Sequence, residues 1–336
     1  MREDSGSKYM WCGAAASGGA GQMMFSTIDS AYRFFPTGWT SASGFMPFPE
    51  VWDQFEPYGQ PGGFLAFSLR GDTEWLTFLN TKNGTVNHHP PETSGRVLTL
   101  EDPTGGLRVL FANGILKAYG PTGETRWSLP LSFNTPLKAL AVDALGNTLV
   151  LAAPGEPSSS GTFPLAQGFW VDASGQVGTP FLAQAPESVN HGASYELIAR
   201  AEGGFFLGVA DRSPKLWMTF EPLQTQPQPG PTWLKKHEQR PLSRLPNGKG
   251  YIRWGRTAAC QNEAEFFSVS GRSCGKTRFP AIASIEHGNA NICGDMRLGP
   301  DGTVLEKLPL ETTYYDMENP VRSHNCRVRW WPALFQ

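Results

Sequence analysis

The strongest constraint on the fold of this chain is a recurring pair of apolar runs joined by a turn that contains glycine. Six such turns are spread over the 336 residues, and the intervals between their last glycines are 43, 40, 58, 44 and 54 residues. They are Gly62-Gly63, Gly105-Gly106, Leu145-Gly146-Asn147, Gly203-Gly204, Asn247-Gly248 and Asp301-Gly302. A unit of about 40–50 residues is the size of one four-stranded blade of a β-propeller.

A second hairpin signal follows inside most of these units. It is found in runs such as WLTFLNTKNGTV (75–86) and FWVDASGQV (169–177). Asn-Gly and Ser-Gly suit such turns because glycine reaches positive φ without steric cost. Apolar residues alternate in the flanks, as at Leu76 and Phe78, which is the period of a strand and not of a helix. The sequence therefore predicts an all-β chain that folds as a β-propeller of four-stranded blades.

The number of blades and the closure of the ring are less tightly specified. Six units run from about residue 50 to the end, and the first 50 residues contain strand-like runs at 25–35 and 38–48. These runs predict either a seventh blade or a strand that pairs with the terminal run 326–335. We expect six or seven blades closed by N- and C-terminal strands, because an open array leaves two strand edges unpaired. Residues 1–24 are predicted to be a flexible N-terminal segment, and residues 25–336 a single propeller domain.

Charge and hydropathy narrow the range of partners. The net charge is −2, and the one basic cluster, at Arg322, Arg327 and Arg329, is small, so we expect no nucleic-acid partner. The chain has no run of 18 apolar residues, which predicts no transmembrane segment.

The five cysteines divide into two local pairs and one remaining residue. Cys260 and Cys274 flank a predicted hairpin, Cys293 and Cys326 lie in the last repeat, and Cys12 is left over. We expect each pair to bridge adjacent strands as a disulfide. The alternative is that all five are buried free thiols. Two disulfides indicate an oxidising compartment, so an extracytoplasmic location (secreted, periplasmic or cell-surface) is predicted.

Three of the six histidines share a sequence context, Val-Asn-His or Ile-Glu-His, on a loop just before the first, innermost strand of a repeat. They are His88, His191 and His287, separated by 103 and 96 residues, near two blades each. Alternate blades would then bring one imidazole each to the same face of the ring. Three neutral imidazoles can bind Zn²⁺, Cu²⁺ or Fe²⁺ with an open position, and Glu286 and Asn289 can supply further ligands. The alternative is that these histidines lie on solvated loops at strand ends.

Other chemical motifs are weak. A calcium site near Asp143, Asp295 or Asp301 is an alternative, but the loop motif of alternating Asp and Asn followed by Gly is missing. The chain contains no nucleophile elbow, no phosphate-binding loop and no dinucleotide fingerprint. We therefore expect no cofactor, with a transition metal or calcium as the alternative.

The eleven tryptophans divide into a repeated set and an adjacent pair. Four recur at related outer-strand positions, which favours packing between blades over sugar binding. They are Trp75, Trp127, Trp170 and Trp217. Trp330 and Trp331 are neighbours on one predicted strand, so their rings face opposite ways and one is expected to be exposed or at an interface. Trp330, Trp331, Glu286 and Asn289 are therefore the candidate ligand-binding residues.

Two successive hairpins carry a resemblance to a known group of proteins. The runs LAVDALGNTLVLAA (140–153) and FWVDASGQVGTPFL (169–182) are similar to the blades of bacterial secreted or surface β-propeller repeat proteins. The resemblance covers about residues 50–310 and implies the fold alone. We predict a non-enzymatic extracytoplasmic binding or assembly module that presents loops to a protein or a surface glycan. The alternatives are a metal-dependent enzyme at the histidine face and a carbohydrate-binding lectin.

Overall fold

The computed structural model describes the backbone of most of the chain, with gaps. The described residues are 11–17, 23–28, 34–41, 44–46, 54–70, 73–80, 83–131, 135–154, 163–186, 189, 192–210, 215–237, 242–258, 261–280, 282–283, 291–292, 295–299, 302, 304–316 and 319–331. Side chains are described from Glu56 to Glu306 outside these gaps, apart from some residues beside them, and again at Trp331.

The described elements are 29 strands and one short 3-10 helix. Before the blades, a four-stranded sheet contains β1 (Trp11–Ser17), β2 (Met23–Ile28), β3 (Phe34–Ser41) and β4 (Gly44–Met46). After them come β25 (Ile282–Ala283), β26 (Asn291–Ile292), β27 (Asp295–Leu298), β28 (Val304–Asp316) and β29 (Asn319–Trp331).

Five four-stranded blades occupy the chain between these segments. Blade I contains β5 (Gln54–Gln60), β6 (Gly63–Arg70), β7 (Thr73–Asn80) and β8 (Val86–His88). Blade II contains β9 (Arg96–Glu101), β10 (Leu107–Phe111), β11 (Ile115–Tyr119) and β12 (Thr125–Pro130). Blade III contains β13 (Leu137–Val142), β14 (Thr148–Ala152), β15 (Phe163–Val171) and β16 (Phe181–Ala185). Blade IV contains β17 (Ser194–Ala199), β18 (Phe205–Ala210), β19 (Leu216–Phe220) and β20 (Gln228–Pro229), and is followed by the 3-10 helix Thr232–His237. Blade V contains β21 (Leu242–Arg244), β22 (Gly250–Arg256), β23 (Asn262–Ser268) and β24 (Ser273–Arg278).

Within each blade the strands pair antiparallel in chain order. In blade III, for example, Val150 lies opposite Leu140 on one side and Phe169 on the other. The first strands of successive blades approach one another, β9 with β13, β13 with β17, and β17 with β21. This arrangement is that of a propeller, in which the first strand of each blade is the innermost one. The all-β propeller fold predicted from the sequence is confirmed.

The hydrophobic core lies between neighbouring blades. Strands β10 and β14, the second strands of blades II and III, are buried along their whole length because another blade covers each of their faces. Between blades III and IV, Leu149 and Leu151 belong to the same core cluster as Phe205 and Leu207. Each fully buried leucine of this kind contributes about 1.5–3 kcal/mol to stability. Blade-on-blade packing is therefore the main term that holds the array together.

The predicted turns are confirmed by backbone conformation. Every predicted first turn from blade I onward has at least one glycine at positive φ: Gly62, Gly105, Gly106, Gly146, Gly203, Gly204, Gly248 and Gly302. Glycine is required most strictly at Gly106, where φ is +106° and a Cβ would overlap the carbonyl oxygen of Tyr119. No other residue fits this turn without moving the third strand of the blade.

Polar contacts at these turns join one blade to the next, and we call them turn links. Gly106 of blade II donates its N–H to Oε1 of Gln60 in blade I, at 2.5 Å. Gly204 of blade IV donates its N–H to Oδ2 of Asp143 in blade III, at 2.8 Å. In both cases a double-glycine turn supplies the donor and the last residue before the previous turn supplies the acceptor. All four groups are buried, so each bond satisfies a donor that water does not reach.

Blades II and III are linked differently, by a buried charge. Arg108 is fully buried, and its Nη2 lies 2.8 Å from Oδ2 of Asp102 and donates to the carbonyl oxygen of Gly146 at 3.2 Å. Its guanidinium lies 5.0 Å from the centre of the Trp127 ring. Burial lowers the pKa of Arg108, and the Asp102 carboxylate acts in the opposite direction.

The blade count predicted from the sequence, six or seven, is corrected by the structure, which shows five blades from β5 to β24. The sixth turn unit, at Gly302, leads into a three-stranded sheet, β27–β28–β29, and not into a four-stranded blade. Its residues 304–331 form one hairpin of two 13-residue strands, so the chain that would supply a fourth strand is used in lengthening the hairpin. The N-terminal sheet is described by its backbone alone, and its first strand lies within residues 1–24. Among the described residues, no helix is long and apolar enough to span a membrane.

Candidate functional site

A cleft of about 810 Å³ opens between blades IV and V, and we call it the IV/V cleft. Blade IV contributes Arg200, Glu202 and Glu221, and blade V contributes Lys249 and the turn 268–270. These residues lie on or beside the turns that join first to second and third to fourth strands. In antiparallel blades both kinds of turn lie at the same end, which we call the turn face.

Three aromatic rings form the floor of the cleft. Phe206, Trp233 and Tyr251 lie with their ring centres 5.7–5.8 Å apart. Phe206 and Tyr251 are buried, whereas Trp233 is only half-buried. The indole is therefore the part of the floor that a ligand can reach.

Local sequence explains how Trp233 comes to lie there. It is the second residue of the 3-10 helix, which begins directly after Pro231. The next residue, Leu234, is fully buried and belongs to the core cluster of Tyr251, so it anchors the helix to blade V. Gly271 of blade V packs under the indole, and a Cβ at Gly271 would overlap the ring. A proline, a buried leucine and a glycine thus place one tryptophan across the seam between two blades.

The charged wall of the cleft is built around Arg200. Its Nη1 lies 2.6 Å from Oε1 of Glu221, and its Nη2 lies 3.2 Å from Oε2 of Glu202. The arginine side chain is 12% exposed, whereas the side chains of Glu202 and Glu221 are 63% and 50% exposed. The cation is therefore covered, and the two carboxylates face the solvent. Lys249, on the opposite wall, is exposed and makes no ion pair with any described residue.

Hydroxyl groups lie on the lining of the cleft. The hydroxyl of Tyr251 accepts a long hydrogen bond of 3.4 Å from the N–H of Ala201, and burial raises its pKa, so it stays protonated at neutral pH. Ser268 and Ser270 are hydrogen-bonded to each other through their hydroxyls at 3.0 Å. The carboxylates of the described lining are Glu202 and Glu221, and both bind Arg200. The lining thus offers groups for stacking, hydrogen bonding and ion pairing.

Exposed apolar side chains lie beside the cleft on the same face. Leu145, on the first turn of blade III, and Leu223, on the third turn of blade IV, are each about half exposed. Leu145 and Pro222, the residue before Leu223, both neighbour Gly203, because a Cβ there would lie 2.7 Å from Leu145 and 2.9 Å from Pro222. Leu223 has φ of +61°, a conformation that a bulky side chain rarely adopts. The turn face of blades III and IV thus carries an apolar patch two residues along the chain from Glu221.

Of the three histidines in the predicted metal site, His88 is the one that the structure describes. His88 lies on β8, the outermost strand of blade I, and not on a loop before an innermost strand. Its Nδ1 is hydrogen-bonded to Oγ1 of Thr77 at 2.8 Å, and its ring packs edge-on to Trp75. The other predicted residues lie outside the described part of the chain: His191, His287, Glu286 and Asn289. The metal site stays a prediction, with His88 already engaged within its own blade.

The predicted calcium site is described at Asp143 alone. Its Oδ1 accepts the backbone N–H groups of Leu145 and Asn147, and its Oδ2 accepts Nδ2 of Asn147 and the N–H of Gly204. The carboxylate therefore organises its turn and the turn link. Residue 301 and the side chain of Asp295 lie outside the description, so a calcium site there stays a prediction.

The tryptophans are described in part. Trp170 stacks on Phe205 of the next blade with ring centres 5.8 Å apart, and Trp217 is buried in the cluster between blades IV and V, which confirms interblade packing for these two. Trp331 is half-buried and packs edge-on to Phe279 at 4.7 Å, so it belongs to the core at the far side of blade V. The side chain of Trp330 lies outside the description.

The first predicted disulfide is corrected. Cys274 is a free, exposed thiol on β24. The register of β23 and β24 pairs Phe267 with Ser273 and Glu263 with Arg278, so Cys274 lies at the turn end of that hairpin, whereas β23 begins at its other end. Cys260 and Cys293 lie outside the described residues, and Cys326 is described by its backbone alone. The Cys293–Cys326 disulfide therefore stays a prediction.

Comparisons with known proteins show the fold and no family. No protein-family model matches the chain, and no curated protein matches its sequence. The chain is similar to the β-propeller domain of the Trilobed protease from Pyrococcus furiosus, with a TM-score of 0.52 and 8% identity over 90% of this chain and 92% of that one. It is also similar to the structure of the complex of KlAtg21 with the coiled-coil of AgAtg16, with a TM-score of 0.51 and 11% identity over 96% and 99% of the two chains. A third similar structure is the tricorn protease, with a TM-score of 0.50 and 10% identity over 99% of this chain, which spans 36% of that protein. These likenesses confirm the resemblance to β-propeller proteins at the level of the fold.

The residues of the IV/V cleft were not candidates from the sequence, although two local signals point to them. Arg200 directly precedes the predicted turn at Gly203-Gly204, in the position that Gln60 and Asp143 occupy in blades I and III. Trp233 follows the Pro-rich segment 222–232, where strand alternation stops. Each signal marks an irregular place in the repeat, but neither shows that the two residues face the same cleft.

Proposed function

We propose that the protein is a non-enzymatic binding module that recognises a polypeptide partner on the turn face of blades III to V. The observation that carries the proposal is the continuity between the IV/V cleft and the exposed apolar residues Leu145 and Leu223. Exposed apolar side chains next to a polar cleft are the usual anatomy of a protein-binding surface, in which apolar contacts supply affinity and polar groups supply specificity.

The backbone at Leu223 supports the same proposal. A left-handed conformation costs a non-glycine residue about 1–2 kcal/mol. In blade IV the residue that bears this cost is Leu223, whose side chain is about half exposed and therefore contributes little to the core. Strain of this kind is concentrated at binding surfaces, where the conformation is needed for the contact.

Two further observations favour binding a polypeptide. One of the similar structures is a complex in which a chain of the same overall fold is seen with a coiled coil. Proteases are also among the similar structures, but the two carboxylates of the described cleft lining, Glu202 and Glu221, bind Arg200, and the serine hydroxyls bond to each other. The fold is compatible with both classes, and the cleft favours recognition.

Ring closure and location are further parts of the proposal. The N-terminal strand β1 approaches β5 on one side and β27, β28 and β29 on the other, which supports closure by the two ends of the chain. Because the first predicted disulfide is absent, the proposal of an extracytoplasmic location rests on the predicted Cys293–Cys326 disulfide. Intact mass after alkylation without reduction tests it: two alkylation-resistant cysteines support the location, and five reactive thiols contradict it.

The proposed function is tested by site-specific photo-crosslinking in the organism that produces the protein. A photoreactive residue at position 145 or 223 is expected to capture one defined polypeptide. The matched control is position 97, because Val97 is also exposed but lies at the opposite end of its blade. With the partner purified, Leu145→Ser and Leu223→Ser are each expected to weaken binding about tenfold, as for anchor residues of an interface. Capture that is equal at position 97, or unchanged affinity in both variants, contradicts the proposal.

A further inference from the structure

We infer that the IV/V cleft is a receptor for a basic side chain, lysine or arginine, of the polypeptide partner. The inference rests on the proposed function, since it names the chemistry by which the turn face recognises that partner. It depends on the charge arrangement around Arg200, the accessible indole of Trp233 and the space between them.

The charge arrangement favours a cation. Glu202 and Glu221 each use one carboxylate oxygen to bind Arg200, Oε2 and Oε1 respectively. Their other oxygens make no hydrogen bond or ion pair with the described residues and are on side chains that are at least half exposed. Two carboxylates share one covered guanidinium, so this wall presents a net negative charge to the cleft. An anion would have to displace a carboxylate to reach Arg200, whereas a cation binds the wall as it stands.

The floor of the cleft adds a second, independent preference. Trp233 is half-buried, with its indole held between Phe206, Tyr251 and Gly271. A fixed indole attracts ammonium and guanidinium groups through the negative face of its ring, and tryptophan is the best of the aromatic residues at this. A guanidinium also matches a carboxylate in a two-pronged hydrogen bond. A basic side chain that enters between the indole and the glutamates therefore makes both contacts at once.

Lys249 makes it possible to test whether the ligand of the cleft is positively or negatively charged. Its ammonium lies on the blade V wall, with no ion pair among the described residues. For a basic ligand, Lys249 is a like charge that weakens binding. For an acidic ligand, it is the natural partner. Removing Lys249 therefore strengthens binding in the first case and weakens it in the second.

The experiment uses the full chain and four small probes, followed by the indole N–H signal of Trp233 in NMR titrations. The probes are the N-acetyl methylamides of arginine, lysine, citrulline and glutamate. Arginine and lysine are expected to shift the signal at millimolar concentration. Citrulline, which has the shape of arginine without its charge, is expected to bind at least about fivefold more weakly, because the charge-assisted contacts are lost.

Variants assign the binding to the cleft. Glu202→Gln is expected to weaken arginine binding about threefold, and Glu202→Gln with Glu221→Gln about tenfold, whereas Lys249→Ala strengthens it about twofold. Glu263→Gln is the matched control, because Glu263 is a carboxylate of blade V that pairs with Arg278 outside the cleft. It is expected to leave binding unchanged. Equal binding of citrulline and arginine, preferential binding of glutamate, weaker arginine binding in Lys249→Ala, or no binding of any basic probe each overturns the inference.

The outcome is separable from that of the proposed function. If the basic probes fail while the crosslinked partner still requires Leu145 and Leu223, the cleft is not a basic-residue receptor but the turn face still binds a polypeptide. If the probes bind as expected while the leucine variants leave the partner unaffected, the cleft assignment stands and the polypeptide-binding face is wrong.

Discussion

The two interfaces of blade IV are built on the same plan but differ in closure. On the blade III side, Trp170 stacks on Phe205, and its Nε1 donates a 2.7 Å hydrogen bond to the carbonyl oxygen of Gln224. The turn link from Gly204 to Asp143 is short, at 2.8 Å. On this side, an aromatic ring, an indole N–H and a carboxylate all make direct contacts across the seam.

On the blade V side the same elements leave the seam open. The bond across the turns is the long one, 3.4 Å from Ala201 to the Tyr251 hydroxyl. The aromatic ring that fills the wedge comes from the 3-10 helix, where Trp233 is half-buried. Arg200 stands where Asp143 stands in blade III, and it turns to glutamates of its own blade instead of reaching the next. These three differences together accompany the cleft on the blade V side, which shows how a propeller can specialise a single interface.

The Pro-rich segment 222–231 strengthens the closed side. Gln226 donates its side-chain N–H to the carbonyl oxygen of Leu182 at 2.9 Å, and its Oε1 accepts the N–H of Gln184 at 3.1 Å. Both are residues of β16, the outermost strand of blade III. A glutamine amide thereby satisfies part of an edge strand that would otherwise be open to other chains.

The largest expected effect comes from breaking the closed seam at Gly204. A Cβ there would overlap the carbonyl oxygen of Phe220, and φ is +70°. Gly204→Ala is expected to lower the free energy of unfolding by about 3–5 kcal/mol, measured by urea unfolding. Gly62→Ala is the control, because φ is +80° but nothing lies within 4 Å, and it should cost only about 1–2 kcal/mol. Equal losses in the two variants would show that backbone strain alone matters.

Removing the acceptor of the same turn link should cost somewhat less. Asp143→Ala leaves the buried N–H of Gly204 and two N–H groups of its own turn without an acceptor, so a loss of about 3 kcal/mol is expected. Asp172→Ala is the matched control, because Asp172 accepts N–H groups in a turn of the same kind near the surface and makes no interblade link. Its loss should be about 1 kcal/mol in urea unfolding. A loss as large as that of Asp143→Ala would argue against the link.

The open seam should be sensitive to alkali. Burial raises the pKa of Tyr251 above its ordinary value of 10.0. The unfolded chain therefore loses this proton first, so the stability that it contributes is complete below about pH 10 and is lost as pH rises further. Buried Tyr58 and Tyr119, whose pKa values are also raised, act in the same direction in blades I and II. Tyr251→Phe should flatten the decline of the urea midpoint above about pH 10, and an unchanged slope would remove Tyr251 from this account.

The smallest expected effect is that of the exposed charges of the cleft. Glu221→Gln removes one of two partners of Arg200, but the carboxylate is half exposed and the guanidinium keeps Glu202. A loss below about 1 kcal/mol is expected in urea unfolding, since exposed ion pairs contribute little. A larger loss would mean that the glutamates hold the seam together and are not there to bind a partner.

The elements that sequence predicts best are those whose conformation leaves a local mark. Glycine at positive φ is such a mark, and Gly62, Gly106, Gly146, Gly204 and Gly248 identified all five blades correctly. The blade count was wrong because the residues after the turn at Gly302 were expected to form short strands of a further blade, and their sequence does not specify strand length. Their pairing into one long hairpin is decided by contacts between residues that lie up to 27 positions apart, such as Val304 with Trp331.

The candidate site could not be predicted from the sequence, for a related reason. The position of Trp233 depends on Gly271 in the next blade. The role proposed for Arg200 depends on the opening that remains beside Tyr251, which also belongs to the next blade. The histidine pattern was visible in the sequence, yet His88 is engaged by Thr77 in its own blade. Periodicity predicts which residues recur, but it does not predict which of them two blades bring together.

The turn links have a direction, and this gives the chain an order of assembly during synthesis. In blades I and III the acceptor, on Gln60 or Asp143, is made first, and its donor, on Gly106 or Gly204, follows about 50 residues later. At a synthesis rate of about 5–20 residues per second, each acceptor waits several seconds for its donor. A growing chain that has just completed blade I or blade III therefore lacks this link until the next double-glycine turn is made. At these two places, blade II completes blade I and blade IV completes blade III.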